Sequence, residues 1–231
     1  MGIFFLCGMY PFLTVFDIAG TTVNDRGLVQ ATLIEVFHEK TGITIDMSRA
    51  NSLMGIPKPV AFEYLCKDHN IDFRASFVYE LTTIFEQRLI AAYGDKKNIE
   101  PMPYAEDVML ELRKNSCKVV LDTGFSKVIT ATIMHTLQWE GLVDATISSD
   151  EVNRGRPHPD MIFEAMNKCD VHSHAMVAKV GDTISDLSEG YAAGCGWVIG
   201  VATGACTKDE FERFPHTHII NDLSELMHIF H

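Results

Sequence analysis

From Pro103 onward, short apolar runs alternate with helical patterns, and this rhythm constrains the fold more than any other feature of the chain. The spacing predicts a helix over 105–114 and a strand over 118–121, then a helix over 126–137 and a strand over 145–148. The same alternation predicts helices over 159–168, 187–193 and 223–229, and strands over 176–180 and 197–201. Strands of four or five apolar residues, each followed by a helix, imply a parallel sheet covered on both faces. The run Leu13-Thr-Val-Phe-Asp17 is a further buried strand of the same type. Between it and the alternating region no strand pattern occurs. There, apolar residues fall at helical spacing around Ala31–Phe37, Val60–Leu65 and Phe77–Leu89. The expected fold is therefore α/β: a doubly wound, Rossmann-like parallel sheet with an inserted all-helical domain. The core is expected to comprise residues 9–24 and 99–231, and the insertion residues 25–98.

Composition narrows the partners. Hydrophobic residues make up 47% and charged residues 22%, as in a folded protein, but the net charge is −12. A surface that acidic repels nucleic acid and anionic membrane, so neither is an expected partner. A phosphate-bearing substrate then needs local positive charge from a metal, a few placed Lys or Arg, or backbone N–H groups. The six cysteines form no CxxC pair, and the expectation is reduced thiols in a cytoplasmic protein. The pairs His172/His174 and His216/His218 share a face only on a strand and are read as surface residues. The apolar stretch Met1–Leu13 is shorter than the roughly 20 residues that span a bilayer, and it lacks a basic flank. One reading takes Met9 as the start and residues 1–8 as an upstream extension. A monomer and a homodimer are both open.

In a doubly wound sheet, ligands gather outside the C-terminal ends of the strands. Four such ends carry polar groups: Asp17-Ile-Ala-Gly-Thr-Thr22, Asp122-Thr-Gly124, Gly155-Arg-Pro-His-Pro159 and Gly181-Asp-Thr-Ile-Ser-Asp186. Together they supply a carboxylate nucleophile, a hydroxyl donor, a fixed cation and a pair of acids. A carboxylate can displace at phosphorus to give an acyl phosphate, splitting one hard step into two. Nucleophile and phosphate repel each other, and a hard divalent cation between them removes that barrier. Asp17 and Asp182 would supply its carboxylates. Thr123, the loop at Gly20 and Arg156 would face the phosphoryl oxygens.

These four segments, in this order, resemble the motifs of the haloacid dehalogenase (HAD) superfamily, over roughly residues 12–205. The resemblance implies Asp17 as nucleophile in a DxxGT motif, and Mg2+ held by Asp17, the Ala19 carbonyl and Asp182, with Asp186 supporting. Thr123 and Arg156 would be catalytic, Gly20, Thr21 and Gly124 would bind substrate, and the helical insertion would act as a cap.

Most phosphatases of that superfamily carry a second Asp two residues after the nucleophile, which protonates the leaving oxygen. Here that residue is Ala19, and loss of such help typically costs about 10²–10⁴-fold. The segment Met54-Gly-Ile-Pro-Lys58 resembles the cap motif of the phosphonatase (phosphonoacetaldehyde hydrolase) subfamily. That resemblance implies substrate contact by Met54 and a Schiff base between Lys58 and an aldehyde substrate, which activates carbon as the leaving group without an acid at position 19. Two positions depart from the subfamily: Ala61 replaces a His, and Phe125 replaces a Tyr. Three readings stay open: cleavage of a small phosphonate, hydrolysis of a small phosphate ester as in phosphoglycolate phosphatases, and a non-catalytic binding protein.

Overall fold

The computed structural model describes residues 10–230. The question of residues 1–8, and the first residue of the expected core range, lie outside them. In chain order the strands are β1 (Leu13–Phe16), β2 (Val23–Asn24), β3 (Glu100–Pro101), β4 (Lys118–Thr123), β5 (Ala145–Ser148), β6 (Val177–Gly181), β7 (Trp197–Val201) and β8 (His218–Ile220). The helices are α1 (Leu28–Thr41), α2 (Met47–Ser52), α3 (Lys58–Asp68), α4 (Ala75–Tyr93), α5 (Ala105–Lys114), α6 (Lys127–Leu137), α7 (Asp160–Lys168), α8 (Ile184–Ala193), α9 (Lys208–Phe211) and α10 (Leu226–Ile229).

Six strands form one parallel sheet in the order β5-β4-β1-β6-β7-β8. The chain winds outward from β1 through β4 to β5, then returns to β6 and winds the other way. The switch point therefore lies where β4, β1 and β6 end side by side, the crevice in which such sheets bind ligands. Strand β1 is buried on both faces. Leu13 and Val15 pack with Met161 and Ile162 of α7, whereas Phe16 belongs to the large apolar cluster on the other face. That two-sided burial explains its unbroken apolar run.

The three helices expected between β1 and the alternating region are present as α1, α3 and α4, and the short α2 was not expected. Helices α1 and α3 both pack on α4, with Phe62 and Phe85 edge-to-face at 6.0 Å, and α4 also packs on α6 of the sheet layer. Strands β2 and β3 pair antiparallel where the chain enters and leaves this segment. They were not expected, because two-residue strands, one holding Pro101, carry no periodicity. Strand β8 was also missed: His218 was read as a surface residue but pairs with Ile199 at the sheet edge. The helix expected over 187–193 begins earlier, at Ile184, because Thr183 and Asp186 form a reciprocal capping box. The five described cysteines outside Cys7 are free thiols, and no described helix is long and apolar enough to cross a membrane.

Candidate functional site

A cavity of about 230 Å³ opens at the switch point. Asp17, Ala19, Gly20, Met54, Lys58, Thr123, Gly124 and Asp182 all line it, so most of the residues singled out in the sequence meet in one place. Asp17 immediately follows β1, Thr123 ends β4 and Asp182 immediately follows β6. The loop after Asp17 is fixed from within. The Thr22 hydroxyl donates to the Asp17 carbonyl at 2.9 Å, and the Gly20 N–H donates to the Val23 carbonyl at 2.9 Å. Gly20 has φ 92°, where a side chain is strained, and a Cβ there would overlap the Asp182 carboxylate. The Thr123 hydroxyl oxygen accepts from the Phe125 N–H at 3.2 Å, leaving its own proton free to donate into the cavity.

Two expected roles change. Thr21 was expected to touch substrate. It is fully buried and donates to Asp182 Oδ1 at 3.1 Å, so it orients that acid instead. Arg156 was expected to face phosphoryl oxygens. Its side chain is fully buried, and every nitrogen is engaged by a carboxylate. Nη1 donates to Asp17 Oδ1 at 2.5 Å and lies 3.0 Å from Asp186 Oδ1, Nη2 donates to Asp122, and Nε donates to Glu189 Oε2 at 3.0 Å. Arg156 therefore grips Asp17 from below.

Beneath the cavity lies a charge network whose other members the sequence reading passed over. The Lys179 ammonium, on the central strand β6, donates to Asp122 and lies 3.0 Å from Asp186 Oδ1 and 3.3 Å from Glu189 Oε2. Burial and Arg156 push the Lys179 pKa down, but its three carboxyl partners outweigh them and hold it above the ordinary lysine value. Burial would raise Asp186, yet Arg156 and Lys179 hold it below the ordinary carboxylate range. Glu189 goes the other way: burial, and then the charge of Asp122, push it well up. Among the described residues, Asp122 Oδ2, Asp186 Oδ1 and Glu189 Oε1 are buried without a hydrogen-bond partner. A proton on Glu189 would let it bond Asp122 and would satisfy one of these atoms on each. The network then balances, with Arg156 and Lys179 against Asp122 and Asp186.

Asp17 and Asp182 remain outside that balance. Burial raises Asp17 to about 6 despite Arg156, and burial with the charges of Asp17 and Asp186 raises Asp182 well above its ordinary value. Two carboxylates repelling across a cavity, beside the Ala19 backbone, make a hard-oxygen donor set that suits a divalent cation. Oxygens of Asp17, Asp122 and Asp186 also lie within 4.8 Å of one another, but Arg156 and Lys179 already fill that cluster with positive charge.

Lys58 enters from the helical segment. It is the first residue of α3, it is 6% exposed, and its Nζ lies 5.9 Å from the centre of the Phe85 ring. Burial lowers its pKa to about 8, against the pull of Asp17 and Asp25. The loop before it lies flush on the sheet layer. Gly55 faces Thr183, Gly124 faces the Gly55 and Ile56 carbonyls, and Gly155 faces Pro57. The fold buries this lysine in the cavity of Asp17 rather than leaving it solvated on its helix.

A model of the family described as haloacid dehalogenase-like hydrolase matches residues 14–200. A phosphonoacetaldehyde hydrolase of Bacteroides fragilis is 31% identical, over 92% of this chain and 85% of its own length. Among solved structures, a phosphonoacetaldehyde hydrolase-like protein from Oleispira antarctica superposes with a TM-score of 0.80 at 19% identity, covering 97% of this chain and 92% of its own. A predicted phosphoglycolate phosphatase from Haemophilus somnus reaches 0.80 at 16% identity, covering 95% and 98%.

Proposed function

The chain belongs to the haloacid dehalogenase-like hydrolase family, and on that premise we propose that it is a Mg2+-dependent phosphonatase-like hydrolase that cleaves the P–C bond of a small aldehyde phosphonate such as phosphonoacetaldehyde. The observation that carries this reading is the burial of Lys58 in the cavity of Asp17, with Ala19 in place of an acid. Residues 25–98 act as a cap over a core formed by residues 9–24 and 99–231.

The roles follow from the chemistry each group can perform. Lys58, with a pKa near 8, is partly a free amine at neutral pH and adds to the aldehyde. Loss of water gives a protonated imine, which draws electrons from the P–C bond. Asp17, gripped by Arg156, attacks phosphorus; carbon leaves as an enamine and an acyl phosphate forms on Asp17. Water then releases phosphate, the enamine takes a proton from solvent at the carbon that left phosphorus, and hydrolysis of the resulting imine frees Lys58 and the aldehyde product. Thr123 and the Gly124 backbone would donate to phosphoryl oxygens, Gly20, whose N–H is held by the Val23 carbonyl, would line the phosphoryl pocket without donating, and Met54 would bound the organic part. When bound, Mg2+ supplies charge neutralisation between nucleophile and phosphonate. Asp17, the Ala19 carbonyl and Asp182 would hold it, with Asp186 supporting from the network below.

The test is borohydride reduction in the presence of phosphonoacetaldehyde, followed by mass mapping, with phosphate release measured in parallel. An adduct on Lys58 and Mg2+-dependent phosphate release are expected. Absence of the adduct would sink the imine. A second reading, hydrolysis of a small phosphate ester, is favoured by Ala61 and Phe125, which offer no proton to the chemistry at Lys58. It predicts turnover of aryl phosphates that survives Lys58→Ala.

A further inference from the structure

The imine chemistry needs a group that moves protons at Lys58, and neither Ala61 nor Phe125 can serve. One carboxylate in the cavity has no part in the motifs described above. Asp25 lines the cavity together with Lys58, is 7% exposed, and lies close enough to act electrostatically on the Lys58 ammonium. It is held rigidly. Its Oδ1 accepts from the Gly27 N–H at 3.1 Å, and its Oδ2 accepts from the Val29 N–H at 3.3 Å and from the Tyr93 hydroxyl at 2.9 Å. The two backbone bonds are those of an acid capping the start of α1. The third is not needed for a cap: it comes from α4, 68 residues along the chain, from a tyrosine with no exposed surface. Behind Tyr93 stands the Phe125 ring, with centroids 5.9 Å apart. The other charged groups acting on Lys58 are Asp17 and Arg156, and both are committed, one as nucleophile and the other to its grip.

We propose that Asp25, oriented by Tyr93, is the proton carrier for imine formation at Lys58. This rests on the Lys58 reading given above. The Lys58 ammonium gives a proton to the Asp25 carboxylate. The free amine forms a C–N bond with the aldehyde carbon, and the carbonyl π pair moves to oxygen. A proton passes from nitrogen to that oxygen, giving the neutral carbinolamine. Asp25 returns its proton to the hydroxyl, the C–O bond breaks, water leaves, and the nitrogen lone pair closes the protonated C=N. Asp25 begins and ends as a carboxylate. Tyr93 is a positioning residue: its hydroxyl holds the Oδ2 oxygen and touches no reacting atom.

The experiment measures the rate at which the Lys58 adduct accumulates under borohydride with phosphonoacetaldehyde, in wild type, Asp25→Asn, Asp25→Ala and Tyr93→Phe. General acid–base groups contribute about 10²–10⁴-fold. Asp25→Asn, whose single carbonyl oxygen keeps one of the two backbone hydrogen bonds, is expected to slow adduct formation by about 10²-fold or more. Formate is expected to restore part of the rate in Asp25→Ala, which a purely structural role would not allow. Tyr93→Phe leaves the α1 cap intact and is expected to slow the step less, by about tenfold. It serves as the deciding variant should Asp25 substitutions fail to fold. Normal adduct rates in folded Asp25→Asn, or in Tyr93→Phe where that variant decides, overturn the proposal while the imine stands. No adduct in wild type overturns the imine, and Asp25's role with it.

Discussion

Replacing Lys179 by methionine removes one of two cations from a sealed cluster and keeps most of the side-chain volume. Lys179 is fully buried and touches Asp122, Asp186 and Glu189. With Glu189 protonated, the wild-type cluster carries two positive and two negative charges. The variant leaves Asp122 and Asp186 to share Arg156, which Asp17 also claims. Removing one partner from a buried ion pair costs about 3–5 kcal/mol. Methionine fills the space, so little cavity cost adds to this. For a chain of this size, each kcal/mol shifts the melting temperature by about 2–4 °C, so a drop of about 6–20 °C is expected. The folded pKa of Lys179 lies above that of an ordinary lysine. Its contribution is therefore complete below about pH 10 and lost only above it, so the deficit should be the same at pH 6 and pH 9. Urea unfolding at both pH values reads the deficit directly. The double variant Lys179→Met/Asp122→Asn should recover part of the loss, since it removes the carboxylate left short of a partner. A deficit below 1 kcal/mol, or a double variant that is simply additive, would refute the charge balance assigned to this cluster.

Other outcomes follow from the same geometry. Mg2+ at about 100 times its dissociation constant should stabilise the wild type by about 2.7 kcal/mol in thermal melts, and Asp182→Asn should lose most of that shift. Without metal, the folded state holds protons on Asp17 and Asp182 that the unfolded chain has released, so stability should fall as pH rises from about 4 through about 6. For Asp17 alone the fall is roughly 2–3 kcal/mol; melts in EDTA at pH 5 and pH 7.5 test the sign, and Mg2+ should abolish the difference. Asp17→Asn should lower phosphate release by at least about 10³-fold yet melt higher than wild type in EDTA, because it removes one of two repelling carboxylates. Unchanged turnover would rule out Asp17 as nucleophile.

The sequence disclosed the periodic parts of this molecule and the groups at strand ends. Strands β4, β5 and β7 and helix α5 follow directly from apolar spacing, and Asp17, Thr123 and Asp182 from their position after apolar runs. Interior pairing was harder to see. Lys179 stands in Val-Ala-Lys-Val, where alternation alone would let a lysine point to solvent, and only the two-sided burial of a central strand makes it an internal cation. That lone charge in an apolar strand was the available signal. Glu189 sits within helix α8, and nothing local marks it as neutral. Asp25 was not singled out: its bonds to the backbone at the start of α1 are local, but its other partner, Tyr93, is fixed only when α4 folds back over α1. Arg156 was singled out in the sequence, but the side on which it meets Asp17 depends on four carboxyl groups drawn from different elements.

The loop Gly55-Ile-Pro57 meets the sheet layer where Gly124 lies against the Gly55 and Ile56 carbonyls and Gly155 against the Pro57 ring. Such a contact behaves like a machined joint, with no long rotamers to take up slack, so it seats fully or not at all. The reach of the Lys58 amine is thus set by backbone and a rigid ring rather than by a flexible side chain. A single methyl group added at Gly155, where a Cβ would stand 3.0 Å from the Pro57 ring, would act as a shim, lifting the Lys58 amine relative to Asp17 without replacing either residue.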